Sequence, residues 1–379
     1  MHRSGIRPAR AAATLCAGFF LAAAVRGGRG PALLERAAMA SAAFAAPDAA
    51  AAALRERYRD LIEEETGAPT PEDPSEPPAP QQLPAPHAQA APSSSAAPPA
   101  QEEIAPPAIP DEYRGTVREE DFSGYEGGPY YRSGRAWLRN YTDWTSDDLD
   151  EILQTPSPIA DDGGGPVVLI YHTHATESFT PYDAGIYDMR SNWRSTDTAL
   201  NMVAVGDVMA AALEARGVGV LHDTELHDYP SYDGSYASSY DSVSDYLARY
   251  PSIRVVLDLH RDAIERAEGL IVKPTAVIGG EKYAQLMVIS NCDDGSGLIP
   301  NWRENLRFAV AFTDAVEARA PGLTRPILFS HRKYNQQLSS GALLLEFGSH
   351  ANTLAEAKRT ARVAGDALAD FLLRKEAAS

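Results

Sequence analysis

Three apolar runs decide what this chain can fold into: PVVLI at residues 166–170, IRVVLDL at 253–259 and ALLL at 342–345. Each is short and nearly continuous, the pattern of a strand buried on both faces rather than one alternating between core and water. Between them lie segments with helical spacing. TALNMVAVGDVMAAALEARG (198–217) ends on Gly217, a C-terminal cap signal, and SVSDYLARYP (242–251) is stopped by Pro251. VGVLHD (218–223) and LMVIS (286–290) are further strands, and NWRENLRFAVAFTDAVEAR (301–319) and TLAEAKRTARVAGDALADFLLRK (353–375) further helices. This alternation predicts an α/β domain over residues 166–379, a mostly parallel sheet with helices on both faces.

The residues ahead of it do not carry the composition of a core. Of the 28 prolines, 14 fall between Gly67 and Pro110, among Ala, Ser, Gln and Glu. Such a stretch buries too little apolar surface to fold, so 67–110 is expected to be a disordered linker. Residues 1–30 place three arginines before an apolar run, the layout of an export signal or a short membrane anchor. Residues 31–66 are Ala-rich with helical propensity, and 111–165 are expected to lead into the folded domain. That domain is expected outside the cytoplasm. Cys16 lies in the apolar run and leaves Cys292 without a partner, so no disulfide framework exists and a metal site would use His, Asp and Glu. A formal charge of −18 argues against a nucleic-acid binder, which needs a basic face.

The polar residues at the strand ends carry the functional signal, because open α/β sheets place their sites beyond the carboxyl ends of the strands. Seven of the nine histidines lie between 172 and 350. His172, His174 and Glu177 follow the first apolar run, His260 ends the second, and Glu346 ends the third with His350 just beyond. If the first strand continues through residue 174, His172 and His174 share one face. A single histidine at a strand end is commonly a hydrogen-bonded loop residue, and a lone buried glutamate is commonly salt-bridged. Three strand ends delivering imidazoles and carboxylates to one edge argue for a metal site. Asp258 and Asp262 flank His260 and would orient it.

At this point the motifs match a family. IYHTHATESF, HDYPSYDGSYASSYDSV, VLDLHRDA and ALLLEFGSHANTLAEA, spread over residues 166 to 360, resemble the stage II sporulation protein P family. More distantly, the chain is similar to zinc-dependent N-acetylmuramoyl-L-alanine amidases. The resemblance implies Zn2+ as cofactor, peptidoglycan as substrate, and cleavage of the amide between N-acetylmuramic acid and L-alanine during engulfment in sporulation. In the family, cleavage of peptide cross-links is a further association. It also implies work beside the glycan-cleaving stage II sporulation protein D and other engulfment membrane proteins, with the domain anchored at the membrane or secreted to the cell wall.

Carried over by position, His174 and His260 would be zinc ligands and Glu346 the catalytic glutamate. The middle ligand is Glu177 or Asp197, with Glu177 the closer to the histidines in sequence. His172 is an alternative to His174 or an outer donor, and His227 could approach the metal. Arg261 or His350 would hold the developing oxyanion. Tyr232 and Tyr236 would stack on sugar rings, and Asn335 and Gln336 would bind stem-peptide amides. Two other classes stay open: a non-catalytic wall-binding protein on the same fold, and a serine hydrolase, for which the core offers no G-x-S-x-G turn.

Overall fold

The structure, a computed structural model, describes residues 106–124, 128–161 and 163–374. The expected anchor, the Ala-rich segment and most of the expected linker lie outside the described residues. The elements follow in the order β1 (Arg114–Glu120), β2 (Tyr130–Ser133), β3 (Ala136–Asn140), α1 (Ser146–Leu153), β4 (Val168–Tyr171), β5 (Ile186–Asp188), α2 (Met202–Ala215), β6 (Val220–His222) and α3 (Ser235–Arg249). Then come β7 (Val255–Asp262), β8 (Glu265–Ala267), β9 (Leu270–Ile278), β10 (Glu281–Ala284), β11 (Leu286–Asn291), α4 (Trp302–Arg319), β12 (Ile327–Ser330), β13 (Ala342–Ser349) and α5 (Leu354–Leu372). No helix among the described residues is long and apolar enough to cross a membrane.

β4 shows why its sequence must be apolar throughout. Val168 and Ile170 enter a large core with α2, α4 and α5, while Leu169 and Tyr171 join Val243 of α3 in a smaller core on the opposite face. β7 and β13 alternate in the same way, sending Val255, Leu257 and Leu259, and Leu343, Leu345 and Phe347, into the large core. The opposite positions on these two strands include Asp258, His260 and Glu346.

The main sheet has eight strands in the order β2-β3-β12-β11-β13-β7-β4-β6. β13, β7, β4 and β6 run parallel to their neighbours, and β11, β12 and β3 form a second parallel group. The two groups meet at the antiparallel pair β11–β13, so the second runs in reverse. The mostly parallel α/β sheet is therefore present, with unequal helix cover on its two faces.

A second sheet, β10-β9-β1-β5 with β8 on β9, has no counterpart in the sequence reading. Residues 111–165 are part of both sheets rather than a lead-in: β1 belongs to the small one, β2 and β3 to the main one, and α1 adds Leu149 and Ile152 to the large core. β1 has one buried residue in seven and so no apolar run to announce it. The small sheet is tied to α5 by Lys273 of β9. Its ammonium, 1% exposed, lies 2.7 Å from Glu356 and 2.6 Å from Asp183. Burial opposes the charge, but Glu356 and Asp183 hold Lys273 above its ordinary value.

Two features of the helix layer are sensitive to single changes. Gly365 of α5 lies against α2, where an added Cβ would fall 2.8 Å from the Met209 carbonyl oxygen and 2.8 Å from Ala212 Cβ. Asp223, after β6, accepts hydrogen bonds from Ser242 Oγ of α3 at 2.5 Å and from Glu225 N–H at 3.1 Å, and lies 3.4 Å from His227 Nε2. Burial opposes ionisation of Asp223, but His227 and Ser242 outweigh it and bring the carboxyl down to about 2.

Gly365→Ala gains up to about 1 kcal/mol of helix propensity. It must also displace backbone, and overpacking costs about 1–3 kcal/mol. Thermal denaturation should show a net loss of a few degrees; an unchanged or raised midpoint would mean the helices can part freely. Asp223, whose folded value lies below its ordinary 3.8, contributes stability that is present above pH 3.8 and lost as pH falls through about 2. The full contribution is about 2 kcal/mol, of which about half remains at pH 3. The stability gap between the wild type and Asp223→Asn should narrow accordingly from pH 5 to pH 3, and a constant gap would contradict this.

Candidate metal centre

β4 ends at Tyr171 because the chain turns over residues 173–176, and two buried carboxylates hold that turn. Asp258 of β7 accepts from the Thr173 N–H at 2.8 Å and from its hydroxyl at 2.6 Å. Asp228 accepts from the Thr176 hydroxyl at 2.6 Å and pairs with Arg194 at 2.6 Å. The turn sends the two histidines of the HTH motif to opposite sides. His172 stays on the α2 side, where Nδ1 donates to the Leu259 carbonyl at 3.1 Å and Nε2 lies 2.8 Å from His222 Nε2. Gly206 of α2 leaves room for this pair, since a Cβ there would fall 2.7 Å from His172 Nε2. His174 turns toward α3, stacked on Tyr232 with centroids 4.7 Å apart and edge-on to Tyr236 at 5.5 Å.

On that side three donors converge. His174 Nδ1 is 3.5 Å from Glu177 Oε1, and His260 Nδ1 is 3.6 Å from Glu177 Oε2. One donor atom from each residue lies within 4.8 Å of those of the other two. These separations are too long for good hydrogen bonds. They match the roughly 3.3–3.6 Å between ligands that each sit about 2.0–2.2 Å from a tetrahedral cation. His174 Nε2 has no hydrogen-bond partner among the described residues. All three residues are buried, and the donor set fits a metal ion.

The electrostatics suit the same occupant. Burial opposes charge on Glu177, but His174, His260 and Arg261 together hold its carboxyl well below the usual range. Its Oε2 also accepts from the Arg261 N–H at 3.1 Å. His260 Nε2 lies 2.9 Å from Asp258 Oδ1, a contact of opposite charges that is not aligned as a hydrogen bond. Burial would lower His260, yet Asp258 and Glu177 raise it well above its ordinary value. Burial lowers His174.

Glu346 sits beside this cluster by strand register. It pairs with His260 across the parallel β13–β7 ladder, on the same face and one strand spacing, about 4.8 Å, away. Its Oε2 has no hydrogen-bond partner among the described residues. Burial first, then the Asp262 carboxylate, push it up to about 8. Asp262 itself pairs with Arg325 at 2.9 Å. His350 follows β13; burial first, then Arg261, bring it down to about 3, so its ring is neutral. Its Nδ1 is unpartnered among the described residues, and the ring lies 5.2 Å from Trp193, a non-glycine residue with a φ of +53°.

The structure thus brings His174, Glu177, His260, Glu346, His350, Tyr232 and Tyr236 into one neighbourhood and separates other sequence candidates from it. Asp197, the alternative middle ligand, is exposed and accepts from its own Ala199 N–H at 2.9 Å. His172 is spent on Leu259 and His222. His227 donates to or accepts from Ser238 Oγ at 2.8 Å and sits with Asp223 and Glu225, a second group whose ligand atoms approach one another. Arg261 is buried with Nε and Nη2 donating to the carbonyls of Ser178 and Trp193, each at 2.8 Å, so it shapes the loop instead of facing substrate. Gln336 is 1% exposed, its amide bonded to the Asn291 N–H and the Ile289 carbonyl, and Asn335 donates to the Tyr236 carbonyl and Ser239 Oγ. Both order the chain ahead of β13, Gln336 with its whole amide and Asn335 with its Nδ2. Arg194 and Trp193 are organising residues that no sequence signal marked, because their partners are distant in sequence; Asp228, which the sequence offered with His227 as a group near the metal, instead holds Thr176 and Arg194.

Comparison with known proteins places the chain in a family. The family model described as Stage II sporulation protein P matches residues 111–369. A curated Stage II sporulation protein P of Bacillus subtilis (strain 168) is 32% identical over 229 residues, 58% of this chain and 54% of that protein. The chain therefore spans about half the length of that relative. Among solved structures, the N-acetylmuramoyl-L-alanine amidase AmiC2 of Nostoc punctiforme matches at 13% identity, covering 56% of this chain and 100% of that one with a TM-score of 0.35. An N-acetylmuramoyl-L-alanine amidase from Clostridium difficile 630 matches at 14% identity over 56% and 100%, with a TM-score of 0.34. With a family model covering β1 through most of α5, this chain belongs to the stage II sporulation protein P family.

Proposed function

We propose that the centre hydrolyses the amide between the N-acetylmuramoyl group and L-alanine in peptidoglycan, with zinc held by His174, Glu177 and His260. The observation that carries this reading is the pairing of Glu346 with His260 in strand register, which sets a carboxylate whose Oε2 has no hydrogen-bond partner among the described residues beside a buried His–Glu–His donor set. Zinc in such a site acidifies water and polarises a carbonyl.

The chain's own groups supply the proton transfers. Glu346 takes a proton from the attacking water as the oxygen joins the amide carbon. It then returns the proton to the amide nitrogen as the C–N bond breaks, freeing a carboxylate on the sugar and an amine on the peptide. A carboxyl raised toward neutrality suits both halves of that exchange. His350, neutral and buried, is better placed than Arg261 to donate to the carbonyl oxygen, because two of Arg261's nitrogens are committed to backbone carbonyls. Tyr232, 42% exposed beside His174, offers a face for a sugar ring. The arginine-led apolar run at the N-terminus supports an extracytoplasmic location. The family resemblance supports action during sporulation beside a glycan-cleaving partner such as stage II sporulation protein D.

The test separates ligation from proton transfer. Glu346→Gln should keep its zinc by elemental analysis and lose about a hundredfold to ten-thousandfold of the rate on purified peptidoglycan. His174→Ala and His260→Ala should lose both zinc and activity. A Glu346→Gln protein that released zinc would make Glu346 a ligand, and one that kept full activity would end the proposed mechanism. Chelator treatment should abolish activity, and added zinc should restore it.

A further inference from the structure

The face of the main sheet that carries His260 and Glu346 changes character beyond β13. Under α3, Leu169, Tyr171 and Val256 are buried on this face. On β11, β12 and β3 the residues facing the large core, Val288, Phe329 and Leu138, are also buried. Their alternates are mixed: Ile289 and Pro326 are buried, but Met287, Leu328 and Trp137 are only half-buried, and Arg139 is exposed.

Strand register lines these residues up with the site. His260 pairs with Glu346, and Glu346 with Met287. One residue ahead of the Ile327–Leu138 pair, Trp137 falls beside Pro326, and Trp137 pairs with Arg132 of β2. A row therefore crosses the sheet from the candidate metal centre to the edge hairpin. From β13 to β3 is three strand spacings, about 14 Å. An extended peptide covers that distance in about four residues.

The far end of the row is cationic in a chain with 52 acidic and 34 basic residues. Arg132 lies over the Trp137 ring at 5.2 Å and Arg139 over the Tyr141 ring at 4.6 Å. Among the described residues neither guanidinium has a carboxylate partner. Rings that hold guanidinium planes in place pre-order them for bidentate pairing with carboxylates.

We propose that this partly exposed half of the sheet binds the stem peptide of the substrate in extended form, its first amide at the metal centre and its side-chain and terminal carboxylates paired with Arg132 and Arg139. This rests on the amidase reading and adds the substrate portion that the enzyme grips. A glycan strand fits the patch less well, since two arginines without a carboxylate partner among the described residues call for several carboxylates and the peptide is where they are.

Calorimetry on the full chain tests it without requiring turnover. The probe is the free peptide L-alanyl-γ-D-glutamyl-diaminopimelyl-D-alanine, with its carboxylates either free or amidated. Each exposed arginine–carboxylate pair is worth up to about a fivefold change in affinity. The Arg132→Ala/Arg139→Ala protein should bind the free-carboxylate peptide about tenfold more weakly than wild type, while the amidated peptide binds both proteins equally weakly. Both arginines are exposed, and an unchanged melting temperature and zinc content would show that the variant is intact.

Equal binding of the free-carboxylate peptide by wild type and variant, or no binding by wild type, would overturn the proposal. So would loss in the variant of binding to a peptide-free disaccharide instead, which would assign the patch to glycan. The two readings fail separately. A protein that binds the peptide through these arginines but releases none from peptidoglycan removes the amidase reading and leaves the groove. One that cleaves peptidoglycan but binds peptide independently of Arg132 and Arg139 removes the groove alone.

Discussion

The buried carboxylate of Asp258 is the interaction on which the site depends. At 1% exposure it is costly to leave unpaired, and it meets that cost by holding the Thr173 backbone and hydroxyl on one side and facing His260 on the other. One group therefore fixes both the turn that presents His174 and the charge environment of His260. Thr173 extends the network to Ser239 of α3, so one chain of hydrogen bonds joins the helix, the turn and the strand. Asp258 shares the hold on the turn that ends the first apolar strand with Asp228, which binds Thr176.

The two faces of the sheet divide the work between stability and chemistry. The face toward α2, α4 and α5 is apolar along β4, β7, β11, β12 and β13 and holds most of the buried hydrophobic residues. The other face carries Asp258, His260 and Glu346 at positions where alternation would otherwise place core residues. Those polar positions are tolerable because the opposite core supplies most of the burial. They are useful because a partly dry setting raises Glu346 and sharpens every charge contact around Glu177.

Electrostatics also builds the wall of the site. Arg261 spends its guanidinium on the carbonyls of Ser178 and Trp193, and Lys273 joins Asp183 to Glu356 at the start of α5. These two buried cations hold the chain that follows Glu177, and Asp228 holds Thr176 just before it. A ligand between fixed points keeps its geometry more readily than one on an untethered loop.

The α/β class, the parallel strands at 168–171, 255–262 and 342–349, and the helices ending at Gly217 and starting at Thr353 are all legible from apolar runs and caps, because those signals are local. The convergence of His174, His260 and Glu346 on one edge was legible too, since each directly follows or ends such a run. The second sheet was not, because β1 and β8 have no apolar run and exist only through pairing with β9. Tertiary structure alone set Glu177 and His174, rather than Asp197 and His172, beside His260, since both placements turn on a bend held by Asp258 and Asp228, residues 85 and 52 positions from the threonines they bind. It likewise took Arg261, Asn335 and Gln336 for scaffolding. Sequence determines which groups are available at a strand end; which of them face one another depends on hydrogen bonds between distant segments, and these form only when the chain has folded.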